Sequence, residues 1–139
     1  TPAAAIMAGR LAREVDFFSI GTNDLVQYLL TTDRTSNDVS SYYEPLHPAI
    51  LEILASVASA AKSAGRSVSI CGEMAGNPAY TALLLGLGFR SLSVGPGDLL
   101  EIKNAIRSTR MQHAEPFARR LLQLSTIQEI KDHLRDAKA

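Results

Sequence analysis

Val15-Asp16-Phe17-Phe18-Ser19-Ile20-Gly21 sets a short apolar and aromatic run against a glycine, and Asn23 through Leu30 follows it with a helical pattern. An apolar run of this length bounded by a turn residue reads as a buried strand. The unit recurs twice downstream. Ser67-Val68-Ser69-Ile70-Cys71 ends at Gly72, and Ser91-Leu92-Ser93-Val94 ends at the turn Gly95-Pro96-Gly97. Helices fill the intervals. Pro48 opens the clearest one, in which Ile50, Leu51, Leu54, Val57, Ala58 and Ala61 share a face. Gly65 closes it where a left-handed residue is favoured. Asn77-Pro78 starts another that runs to about Gly86, and a third spans Leu99 to Arg107. Upstream, Pro2 and the alanine-rich stretch Ala3 to Arg13 predict a helix. Downstream, two terminal helices fit, with Ser125 and Gln128 spaced as a capping box before the last. Thr31 to His47 is polar and reads as a long loop, a type that is usually functional or disordered. Strands joined by helix-length connections run parallel, because a crossover is needed to return. The fold class is therefore α/β. An open three-stranded sheet and a segment of a (β/α)₈ barrel both satisfy this order.

The bulk properties narrow the field further. The 139 residues are about one domain's worth, and 46% hydrophobic content is enough for a core. Fourteen basic residues balance fourteen acidic ones, which argues against nucleic acid or an anionic membrane as a partner. Apolar runs such as Ala82-Leu83-Leu84-Leu85 are far too short to span a bilayer. No signal peptide opens the sequence, and the single cysteine, Cys71, suits a reducing compartment, so a cytoplasmic location is expected. A first residue of Thr1 instead of methionine fits a piece of a longer protein, or a chain whose start has been processed. There is no internal repeat and no low-complexity tract.

In parallel α/β proteins functional groups collect at the C-terminal ends of the strands. Here those ends carry Gly21-Thr22-Asn23-Asp24, Cys71-Gly72-Glu73 and Gly95-Pro96-Gly97. Glycine and asparagine also build plain strand-to-helix turns, but a carboxylate such as Asp24 can hold a hard cation. Arg34, in the polar loop, can clamp a phosphate or carboxylate bidentately, or pair with Asp33 or Asp38 on the surface. Cys71 reads as a small core residue or as a reactive thiol. If the chain stays extended past Gly72, Cys71 and Glu73 project to one side, where a thiol and a carboxyl suit proton transfer. His47 reads as a helix-entry residue beside Pro48. His113 and His133 read as exposed, and the three histidines have no metal-ligand spacing.

Taken together, Val15 through Leu25, with Gln27-Tyr28 and Asp33-Arg34 in register, resemble the signature of the phosphoenolpyruvate-utilising enzymes. Cys71-Gly72-Glu73-Met74-Ala75-Gly76 has the form typical of the enzyme I branch, the phosphoenolpyruvate–protein phosphotransferases. Pro2 through Ala5 and Phe89 through Arg107 fit the same pattern, so the resemblance covers nearly the whole chain. It implies the last three strands or so of a (β/α)₈ TIM-type barrel over residues 1–110, with extra C-terminal helices over 111–139. It implies that phosphoenolpyruvate binds at the C-terminal face with Mg²⁺. Asp24 becomes a Mg²⁺ ligand, Asn23 and Arg34 contact the phosphate, and Cys71 protonates the enolate of pyruvate. Glu73 lies near the substrate in a supporting role.

The resemblance also implies partners and parts beyond this sequence. A second Mg²⁺ glutamate falls immediately before Thr1. Two substrate arginines belong to earlier strands. A separate domain carries the histidine that receives the phosphoryl group and passes it to a phosphocarrier protein. On that reading the chain alone does not turn over, and it forms a homodimer. Leu92-Ser93-Val94-Gly95 departs from the family, which more often has methionine and then serine or asparagine there. Two alternatives stand beside this expectation. One is another phosphoenolpyruvate-utilising phosphotransferase, such as a nitrogen-branch paralogue or a multidomain fusion. The other is a non-catalytic dimerisation module.

Overall fold

The computed structural model describes residues 1–33, 35–36 and 38–136. Three strands, β1 (Phe17–Gly21), β2 (Ser67–Cys71) and β3 (Ser91–Leu92), form one parallel sheet in the order β1-β2-β3. Helices stand before, between and after them: α1 (Pro2–Ile6), α2 (Ala8–Leu11), α3 (Thr22–Leu29), α4 (Pro48–Ser63), α5 (Glu73–Gly76), α6 (Thr81–Leu87), α7 (Leu99–Ser108), α8 (Met111–Leu121) and α9 (Ile127–Asp136). This is the α/β order expected from the strand–glycine–helix repeats.

The face of α4 drawn from periodicity is the buried one: Ile50, Leu51, Leu54, Val57, Ala58 and Ala61 are its buried residues. They meet Ile70 of β2, Leu83 and Leu84 of α6, and Phe89, all fully enclosed. Gly65 comes after α4 at φ +66, the left-handed conformation expected of it. His47 caps the same helix, its Nδ1 accepting from the Ala49 N–H at 3.2 Å. Helix α8 lies close against α6 because Gly86 has no side chain. A Cβ there would stand 2.1 Å from the Ala114 carbonyl oxygen and 2.7 Å from the Ala118 Cβ.

Several boundaries differ from the sequence expectation. The first helix is interrupted at Met7 (φ −87, ψ 5) and resumes as α2, where Gly9 lowers helix propensity. β3 is two residues long, although the Ser93 N–H still donates to the Ile70 carbonyl at 2.8 Å before the chain turns away. The helix expected from Asn77-Pro78 begins as a 3₁₀ turn, Pro78–Tyr80, and becomes α-helical at Thr81. The capping box of α9 is built one residue later than expected. The Glu129 N–H donates to Thr126 Oγ1 at 3.2 Å, and Glu129 Oε2 accepts from the Thr126 N–H at 2.9 Å. Gln128 instead donates to Asp132 at 2.9 Å. His133 is half-buried, not exposed, with Nδ1 3.0 Å from the Glu129 carbonyl oxygen.

Candidate active site

The register pairs Gly21 with Cys71, so β1 and β2 end level. Just beyond those ends the chain is tied into a knot. Thr22 is fully buried, and its hydroxyl donates to the Cys71 carbonyl at 2.7 Å. Asn23 Oδ1 accepts from the Glu73 N–H at 3.0 Å and from the Tyr43 hydroxyl at 3.5 Å. Tyr43 belongs to the long polar segment, so one amide oxygen joins the ends of both strands to that loop.

Gly72 makes the knot possible. Its φ of +90 lies in the region that favours glycine, and a Cβ would fall 2.5 Å from Thr22 Oγ1 and 2.7 Å from Asn23 Oδ1. The same conformation corrects the expectation that Cys71 and Glu73 project to one side. The chain does not stay extended, because Gly72 turns it and Glu73 starts α5. Cys71 is half-buried at the strand end, while Glu73 is exposed.

Asp24 sits in the first turn of α3 and is exposed, a position where a carboxylate is favoured by the helix dipole. Arg34 lies outside the described residues. Beside the knot, Asn23, Gly72, Glu73, Ser93, Gly95 and Asp98 line a cleft of about 540 Å³. Cys71 and Asp24 are not among the residues that line it. Asn23 and Glu73 are therefore brought together, with Cys71 one residue behind Gly72 in the chain and Asp24 one residue ahead of Asn23.

Asp98 carries no mark in the sequence beyond its place directly after Gly95-Pro96-Gly97, where composition reads an acidic residue as an ordinary helix cap. It precedes α7 but makes no side-chain capping bond. Its Oδ2 leans over two glycines instead, 3.1 Å from where a Cβ of Gly76 would stand and 3.4 Å from one of Gly95. Among the described residues no group of three or more His, Cys, Asp or Glu side chains is gathered for a metal, and no helix is long and apolar enough to cross a membrane.

The family described as "PEP-utilising enzyme, PEP-binding domain" matches residues 1–111. Curated relatives agree. The phosphoenolpyruvate-protein phosphotransferase of Cupriavidus necator is 45% identical over 122 residues, covering 88% of this chain and 21% of that protein. Its namesake from Bacillus subtilis is 43% identical over 129 residues, 93% of this chain and 23% of that protein. That of Haemophilus influenzae is 44% identical over 130 residues, 94% and 23% respectively. The chain thus spans under a quarter of the length of these relatives. The match takes in all three strands, the Asn23–Gly72 knot and the Asp98 cleft: the chain belongs to the phosphoenolpyruvate-utilising enzymes, as part of their phosphoenolpyruvate-binding domain.

Proposed function

We propose that this chain is the C-terminal, phosphoenolpyruvate-binding part of a phosphoenolpyruvate–protein phosphotransferase. The reaction moves the phosphoryl group of phosphoenolpyruvate to a histidine elsewhere in the polypeptide, and on to a phosphocarrier protein, leaving pyruvate. Residues 1–110 are the last strands and helices of a (β/α)₈ barrel, and 111–139 its terminal helices. The protein works in the cytoplasm as a homodimer. The observation that carries this reading is the Thr22–Asn23–Gly72–Glu73 knot at two parallel strand ends, within a segment matched by a phosphoenolpyruvate-binding domain.

The chemistry follows from the residues. Asn23 and Arg34 hold the phosphate, amide and guanidinium offering donors to its oxygens. Asp24 fits Mg²⁺ in part, since that ion is commonly held by one or two carboxylates together with waters and substrate phosphate. When bound there, Mg²⁺ neutralises charge on the phosphate oxygens. Departure of the phosphoryl group leaves the enolate of pyruvate. Cys71 then gives its thiol proton to the methylene carbon, so that the S–H bond breaks as the C–H bond forms, and solvent reprotonates the thiolate. Glu73 supports the site through its backbone N–H, which fixes Asn23.

The test is a chimera in which this chain replaces the matching segment of the Bacillus subtilis relative. The chimera should form pyruvate from phosphoenolpyruvate with Mg²⁺. Asp24→Asn and Arg34→Ala should each lower turnover about a hundredfold or more, because each removes charge stabilisation that grows in the transition state. Near-normal turnover of either variant returns that residue to a turn or surface role. A folded chimera unable to bind phosphoenolpyruvate overturns the proposal.

A further inference from the structure

The two ends of the sheet differ in charge. At the N-terminal ends of β2 and β3, opposite the Asn23–Gly72 knot, a cleft of about 690 Å³ opens between α4, α6 and α8. Lys62, Arg66, Arg90 and Arg119 line it, and Glu115 is its one carboxylate. In a chain whose basic and acidic residues are equal in number, that is a local excess of positive charge. Two of the guanidinium groups are held by backbone. Arg66 Nε donates to the Ala12 carbonyl at 3.2 Å, and Arg90 Nη1 donates to the carbonyls of Leu85 at 2.8 Å and Phe89 at 2.9 Å. Each keeps further N–H donors in a fixed fork. Among the described residues none of the four cations is in an ion pair.

Four like charges sharing one cleft repel one another, and a multiply charged anion relieves that repulsion. Three of the four are arginines, whose planar forks match phosphate oxygens. Ser59, Ser67 and Ser91 add hydroxyl donors on the same walls. Gly86 and Gly88 keep one side low, the first held as glycine by α8 and the second by its φ of +112. The volume falls within the usual span of small-molecule sites.

We propose that this cleft is a second ligand site, for a small molecule carrying a phosphate or diphosphate group, distinct from the phosphoenolpyruvate site. β2 separates the two: Ser67 lines this cleft and Cys71 ends the strand five residues on, counting both, roughly 13 Å of extended chain. No residue assigned to phosphoenolpyruvate lines it.

The probe is inorganic pyrophosphate, titrated into the chain and followed by amide NMR shifts. Saturable binding is expected, with shifts around Lys62, Arg66, Arg90 and Arg119. Replacing Lys62 and Arg119 together by serine should weaken it about tenfold or more, since two charge-assisted contacts are lost. Neither side chain makes a hydrogen bond among the described residues, so unchanged thermal unfolding should confirm that the variant is folded. Asp24→Asn should leave the affinity as it was, which separates this site from the proposed active site. Absence of saturation, an unaltered affinity in the double variant, or shifts confined to the Asn23–Gly72 end would each overturn the proposal. Citrate binding as tightly as pyrophosphate would overturn the phosphate assignment.

Discussion

Replacing Gly72 with alanine asks two things of one residue. The backbone must hold φ +90 and ψ −174, a region almost reserved for glycine, and the new methyl must fit 2.5 Å from Thr22 Oγ1. Strain of that kind costs about 1–3 kcal/mol, and overpacking a similar amount. We expect Gly72→Ala to lower stability by about 2–5 kcal/mol in urea unfolding and to disturb the Asn23–Glu73 bond. A loss below about 0.5 kcal/mol would mean the knot yields easily. Cys71, one residue earlier, carries the chemical prediction. In the chimera, Cys71→Ser should bind phosphoenolpyruvate as before, while pyruvate formation falls sharply, because a serine hydroxyl is a far weaker acid than a thiol. Pyruvate made in deuterated water from phosphoenolpyruvate stereospecifically tritiated at the methylene carbon should also lose the single configuration of its chiral methyl group. Full rate with the same facial selectivity would place the proton donor elsewhere. Asn23, Cys71 and Glu73 stand out in the sequence as candidates because they flank the glycines that bound apolar runs. The sequence did not reveal the turn at Gly72, since glycine permits both an extended and a left-handed path. Asp98 did not stand out because its carboxylate lies over Gly76, a neighbour only in space.

At the scale of elements, α4 was legible in full, because a long amphipathic period and a closing glycine agree with each other. The start of α9 was not. Ser125/Gln128 and Thr126/Glu129 have the same spacing one residue apart, so pattern alone does not choose. Charge decides between them: the Glu129 carboxylate accepts from the Thr126 N–H at 2.9 Å, the Thr126 hydroxyl at 2.8 Å and the Ser125 N–H at 3.2 Å. An ionised acceptor holds such donors better than an amide. The Thr126 hydroxyl first, and the Thr126 N–H next, hold Glu129 below the usual carboxylate range. The favoured form is the deprotonated one. Its contribution is therefore present above the ordinary glutamate pKa of about 4.3 and disappears as pH falls through the lowered value of the folded state. Thr126→Ala should move the Glu129 titration upward, toward that ordinary value, and fray the start of α9. Carboxyl NMR titration reads this directly. An unmoved Glu129 would show that the hydroxyl is not its main support. Farther along, Lys131 of α9 pairs with Glu44 of the long loop. A partly exposed pair of this kind contributes at most about 1 kcal/mol, so the terminal helix is held chiefly by Ile130 and Leu134 in the core.

For the whole molecule, strand direction could be read from the sequence because successive strands are joined by helix-length crossovers, whereas the order β1-β2-β3 comes from the structure. Closure into a barrel could not be read, since three parallel strands with crossover helices fit an open sheet and a barrel segment alike. Among the described residues β1 pairs only with β2, and β3, two residues long, pairs only with β2, so both edges of the sheet are open. The segment leading into and including β1 also exposes large apolar side chains: Ile6 is 74% exposed and Phe17 64%, with Met7 and Leu11 less so. On α7, Leu100 is 79% exposed and Leu99 54%. Burying one such side chain is worth about 1.5–3 kcal/mol, and an open strand edge offers unpaired backbone donors and acceptors to a second copy. The chain should therefore self-associate as a dimer or larger species. Sedimentation in the micromolar range should give at least twice the 15.0 kDa of one chain. Because the driving force is apolar burial, raising the salt should not dissolve the assembly. Phe17→Lys combined with Ile6→Lys should shift it toward monomer if the β1 edge is the contact, and Leu100→Lys should do so if α7 is. A compact 15.0 kDa monomer across that range would defeat the prediction.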